Sequence, residues 1–90
     1  MPDPDIHSLL EFPCDLDIKA VGLASEDFPD IVMQLVQTHA PEVGMQSLRS
    51  RQSSGGKYLS VTVTLRAQSR EQMDRIYTDL SAHPDVLTAL

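Results

Sequence analysis

Residues 57–66 read Lys-Tyr-Leu-Ser-Val-Thr-Val-Thr-Leu-Arg, and this alternation limits the fold more than any other feature of the chain. Successive side chains of a strand point to opposite faces, so Leu59, Val61, Val63 and Leu65 share one face. Tyr58, Ser60, Thr62, Thr64 and Arg66 share the other. A strand of this pattern belongs to an antiparallel sheet with one covered and one open face. The covering layer must come from elsewhere in the chain.

Two helical segments supply it. After Ser25-Glu-Asp-Phe-Pro-Asp30, a run of capping residues, early proline and acids, the apolar residues Phe28, Ile31, Val32, Leu35 and Val36 recur at helical spacing, with His39 at the end of the face. Pro41 stops this helix after Ala40. Ser69-Arg-Glu-Gln72 fits a capping box, and Met73, Ile76, Tyr77 and Leu80 give a second apolar face, broken at His83-Pro84. Three further strands are expected. One spans residues 15–24, where Leu16, Ile18 and Ala20 oppose Asp17 and Lys19. A weaker one spans 45–53 and enters the hairpin turn Ser53-Ser54-Gly55-Gly56. The last spans 86–90.

The order β-α-β-β-α-β, with right-handed crossovers, predicts an α+β sandwich of the ferredoxin-like or ACT-like kind. It has a four-stranded antiparallel sheet, two helices on one face, and the first and third strands in the centre. Residues 1–14, which begin Met-Pro-Asp-Pro-Asp, are expected to be a tail and arm; residues 15–90 are expected to be a single domain. Ninety residues suit one small core.

The chain resembles the YbeD-like proteins, small bacterial proteins of uncharacterised function. The resemblance is carried by Leu9-Leu10-Glu11-Phe12-Pro13, Lys19-Ala20-Val21-Gly22, His39-Ala40-Pro41, Ser53-Ser54-Gly55-Gly56-Lys57-Tyr58 and Ser60-Val61-Thr62-Val63-Thr64, in order along nearly the whole chain. It implies an ACT-like fold and a regulatory role, linked by family name to lipoate metabolism. It supplies neither a catalytic residue nor a ligand. The doubled Gly55-Gly56 bears only on the turn type.

Several chemistries fit the residues poorly. Acylphosphatases of this topology cradle phosphate with an arginine after the first strand; here that loop is Gly-Leu-Ala-Ser-Glu-Asp-Phe, acidic and without a base. The three histidines and the lone Cys14 have no metal-ligand spacing, so no metal or other cofactor is expected. The chain is therefore read as a non-enzyme. Stacking aromatics are missing from the open-face positions apart from Tyr58, and the net charge is −6, which argues against nucleic acid. A single thiol, no secretory leader and no membrane-spanning stretch point to the cytoplasm.

The charge is unevenly placed. Residues 1–42 carry nine acids and one base; residues 43–90 carry six bases and four acids. Arg49, Arg51 and Arg66 fall on the open face by parity, with Lys57 at the hairpin. Together with Tyr58, Ser60, Thr62 and Thr64 they form a candidate interaction surface, whose ordinary alternative is a solvated sheet face. The acidic half of the chain would supply the opposing surface on another copy or on another protein, and two such faces could pack in a homodimer. The expected role is a regulatory or protein-interaction module. The alternative is a small-metabolite sensor, with backbone at Gly22 approaching the ligand at a subunit interface.

Overall fold

The computed structural model describes residues 11–90. Most of the expected tail and arm lies outside the described residues; of the arm's apolar residues, Phe12 is half-buried against the core. The elements are β1 (Cys14–Leu23), α1 (Phe28–His39), a 3-10 turn (Met45–Ser47), β2 (Leu48–Gln52), β3 (Tyr58–Ala67), α2 (Arg70–Ala82) and β4 (Thr88–Ala89). The sheet order is β2-β3-β1-β4, all neighbours antiparallel, so the two most regular alternations in the sequence occupy the centre. This is the βαββαβ α+β fold that the residue pattern predicts.

The inward parity of β1 and β3 forms the floor of the core. Ile18, Ala20, Leu59, Val61, Val63 and Leu65 are buried there, under Phe28, Val32, Met33 and Val36 of α1 and Met73, Ile76 and Leu80 of α2. Each large apolar side chain so buried contributes about 1.5–3 kcal/mol relative to exposure. No polar or charged residue is fully buried among the described residues.

Polar bonds fix the helices to each other at one end. Ser69 Oγ accepts the Gln72 amide at 3.1 Å, the first half of the expected capping box. The returning bond goes one residue further back than the box requires, because Gln72 Oε1 accepts from the Gln68 amide at 2.7 Å. The same Gln72 donates through Nε2 to the His39 carbonyl at 2.9 Å, satisfying an orphan group at the C-terminus of α1. His39 Nε2 lies 2.6 Å from Asp79 Oδ2. The sequence places His39 only at a helix end; its partner comes from tertiary packing.

Two expected strands are shorter than their sequence spans. Residues 45–47 make a 3-10 turn, closed by the Ser47 amide on the Gly44 carbonyl at 3.0 Å. Met45 and Leu48 are three apart, a spacing that suits a turn and not an alternating strand, and Met45 is exposed. At the other edge, regular pairing covers only Thr88–Ala89. The Leu87 amide donates to the Val21 carbonyl although Val21 is paired with Thr88, so the ladder is offset there. Reciprocal bonds between Lys19 and Leu90, at 2.9 and 2.7 Å, carry the pairing on.

Burial pushes the Tyr77 phenol above its ordinary value of 10.0. The folded state therefore favours the neutral phenol. Its contribution is complete below about pH 10 and is lost as pH rises through the higher folded value. Tyr77→Phe should flatten the alkaline limb of stability, measured as denaturant midpoints from about pH 8 to about pH 11. An unchanged limb would assign the loss to other groups.

Candidate binding surface

Residues directly opposite each other in a sheet share a face, so the register defines the open side row by row. Arg66 stands opposite Asp15, and Thr64 opposite Asp17. The next row holds Arg49, Thr62, Lys19 and Leu90. After it come Arg51, Ser60, Val21 and Thr88. The last pairs Tyr58 with Leu23. All the open-face strand residues singled out from the sequence are on this side, and Lys57 adjoins it at the hairpin.

The face is not uniformly basic. At one end, Arg66 Nη1 donates to Asp15 Oδ1 at 3.3 Å. Thr64 Oγ1 donates to Asp17 Oδ1 at 2.6 Å, and Arg49 reaches both groups, Nη1 to Thr64 Oγ1 at 3.1 Å and Nη2 to Asp17 Oδ2 at 3.5 Å. Acids expected on an opposing surface thus sit on the same face, and they neutralise Arg49 and Arg66 within the chain. The reason is topological: β1 carries outward Asp15 and Asp17 and lies directly beside β3. These exposed pairs are worth about 0–1 kcal/mol each.

The other end differs. Lys19 and Arg51 make no ion pair with any described residue. They flank a shallow groove of about 340 Å³ whose remaining walls are Val21, Gln52, Ser53, Ser54, Tyr58 and Ser60, with no carboxylate among them. The hairpin that forms one wall is held locally. Ser53 Oγ accepts the Tyr58 amide at 3.1 Å, the Gly56 amide donates to the Ser53 carbonyl at 2.8 Å, and Gly56 has a positive φ of 73°, which favours glycine. Lys57 Nζ lies 5.4 Å from the centre of the Tyr58 ring, within cation-π range, and Tyr58 lines the groove. Lys19 is a residue that attention to the late strands alone misses. Its signal was the outward parity of β1.

Exposed apolar residues lie at this same end and along the β4 edge of the sheet. Leu23, Tyr58, Leu87 and Leu90 are four of the five large apolar side chains exposed in the described chain. Leu23 faces Tyr58 across the ladder, Leu90 faces Lys19, and Leu87 shares a second shallow depression with Leu23 and Phe28. Leu23 and Tyr58 thus form the end row of the face, next to the row of Arg51 and Ser60, while Leu90 stands in the row of Lys19 on the edge opposite β2.

Gly22 lies on the opposite parity. A β-carbon there would sit 2.4 Å from the Asp85 carbonyl oxygen and 2.6 Å from Phe28 Cε1. The close approach that this glycine permits on the β-carbon side is made by the chain's own Phe28 ring and Asp85 backbone. Among the described residues, no three His, Cys, Asp or Glu side chains are grouped to hold a metal, and no helix is long and apolar enough to cross a membrane.

A family model described as a protein of unknown function, DUF493, matches residues 7–90. A UPF0250 protein of Ralstonia nicotianae is 46% identical over 87 residues, spanning 97% of this chain and 90% of that one. A UPF0250 protein of a Janthinobacterium species is 48% identical over 80 residues, spanning 89% and 88%. The solution structure of protein HP0495 from H. pylori superposes with a TM-score of 0.73 at 18% identity, covering 100% of this chain and 94% of the other. At that identity the likeness is one of fold.

Proposed function

The chain belongs to the DUF493 family of small bacterial proteins of unknown function, the UPF0250 proteins, in line with its YbeD-like motifs, and on that premise we propose that it is a regulatory binding module that docks an acidic, partly apolar surface of another protein on the open face of its sheet. The observation that carries this reading is the groove flanked by Lys19 and Arg51, which have no ion-pair partner among the described residues, with exposed Tyr58 on its wall and exposed Leu23 opposite Tyr58 in the end row. Large apolar patches rimmed by polar groups mark interaction sites, and Tyr and Arg are enriched in interface cores. A second copy fits this face less well, because pairing would bring together two chains that each carry −6. Docking would act on the partner by favouring the conformation that presents the acidic surface.

The test is capture from a lysate of the native host on immobilised protein, comparing wild type, the double variant Lys19→Glu, Arg51→Glu, and Arg66→Gln. The partner retained by wild type at low salt should be lost from the double variant and weakened by high salt, because exposed charges are screened within about 10 Å at 0.1 M. It should be retained by Arg66→Gln, whose charge is already matched by Asp15. Equal capture by wild type and the double variant would reject the face. Self-association of wild type in the ultracentrifuge, lost in the double variant, would replace the foreign partner with a second copy.

A further inference from the structure

The groove between Lys19 and Arg51 has a donor set that points to one kind of anchor. The backbone N–H groups of β1 and β3 are consumed in the ladder, so the polar groups that these two strands offer to the groove are side chains. No helix begins among its lining residues, and a helix N-terminus is a feature that holds a phosphate tightly. Two cations, on β1 and β2, stand to either side of β3, and Ser60 lies between them opposite both Arg51 and Val21. Strands spaced about 4.8 Å apart place these two backbones roughly 10 Å apart, which two long cationic side chains can bridge over a single oxyanion. Val21 and the Tyr58 ring add apolar wall beside the charges.

Resting on the docking face proposed above, we infer that this groove is the seat for one carboxylate side chain of the partner, of glutamate type. The carboxylate lies between the Lys19 ammonium and the Arg51 guanidinium and accepts from the Ser60 hydroxyl. Its methylene arm lies on Val21 and the Tyr58 ring. Glutamate suits the groove better than aspartate because its longer arm covers the apolar wall while its charge reaches both bases. The half-neutralised end of the face, with Arg49 on Asp17 and Arg66 on Asp15, offers no such seat.

The experiment is a backbone-amide NMR titration of the full chain with a short capped peptide carrying one glutamate, and with the same peptide carrying glutamine. Inorganic phosphate and acetate are titrated separately. The glutamate peptide should shift the amides of Lys19, Val21, Arg51 and Ser60, and the glutamine peptide should not. In Lys19→Glu, Arg51→Glu the apparent affinity should fall about tenfold or more, the loss of two exposed charge contacts together with the reversal of both charges. Arg66→Gln should bind as wild type does. Equal shifts from both peptides, shifts elsewhere in the chain, or no shifts at saturation would overturn the carboxylate seat. Phosphate or acetate shifting the same amides more strongly than the peptide would also overturn it, and would assign the groove to a free anion. A failed peptide titration beside captured partner that still depends on Lys19 and Arg51 would remove the seat and leave the docking face standing.

Discussion

Val63→Asp is expected to destabilise the domain by about 3–5 kcal/mol, the largest single effect considered for this chain. Val63 is fully buried at the centre of the sheet, paired with Ile18 on β1 and Leu48 on β2. No described basic side chain is buried near enough to match a carboxylate there, since the core contains no polar or charged residue. The aspartate would either stay ionised at a large desolvation cost or take up a proton. Either way a polar group would replace packed methyls. Domains of this size have roughly 5–15 kcal/mol to lose, so a large fraction of the variant should be unfolded in mild urea. Val63→Ala separates the terms, because it loses burial without introducing a charge and should cost about 2 kcal/mol. Urea midpoints by circular dichroism read both. A midpoint for Val63→Asp equal to that of wild type would contradict a sheet with its β3 valines facing the helices.

Gly22→Ala should cost about 2 kcal/mol, which is much for the addition of one methyl group. The new β-carbon would lie 2.4 Å from a backbone oxygen and 2.6 and 2.7 Å from two atoms of the Phe28 ring. The ring is itself buried and the carbonyl belongs to the chain, so neither can swing clear as the end of a flexible side chain could. Relief requires β1 to move away from α1 and from the segment before β4. Gly55→Ala is the matched control. Nothing lies within 4 Å of its added carbon, and its stability should stay within about 0.5 kcal/mol of wild type. Two glycines with equal unfolded-state freedom should thus respond in very different ways, and thermal melts of the two variants test this. Equal small losses would place the Phe28 ring away from Gly22.

Much of this architecture is legible without coordinates, for an identifiable reason. The period-2 pattern in β3 and the period-3.6 pattern in α1 are both long enough to fix which side chains are buried. Ile18, Ala20, Leu59, Val61, Val63 and Leu65 are on the faces their parity assigns. Where the pattern is short it misleads. Met45 and Leu48 have no alternation between them, and residues 45–47 turn before they extend. The terminal strand loses its regularity at Leu87, whose backbone bond is offset by one residue.

The candidate surface is legible in composition and hidden in arrangement. Parity puts Arg49, Arg51 and Arg66 on one face, but parity along one strand does not say what stands beside it on the next. The register brings Asp15 and Asp17 against two of those arginines and sets Lys19 one row from Arg51, on the far side of β3. The role of Gly22 was hidden in the same way, because only the packed chain shows that Phe28 and Asp85 fill the space above it. Cross-strand neighbours are set by register, and register is a property of the whole sheet.

The most direct measurement of the docking claim is a map of backbone-amide shifts on adding the captured partner to the labelled full chain. The expected map centres on Lys19, Val21, Leu23, Arg51, Tyr58 and Ser60, the end of the face where two cations unpaired among the described residues adjoin exposed Leu23 and Tyr58. A map confined to α1 and α2, or centred on Asp15 and Arg66 with Lys19 and Arg51 unmoved, would contradict it.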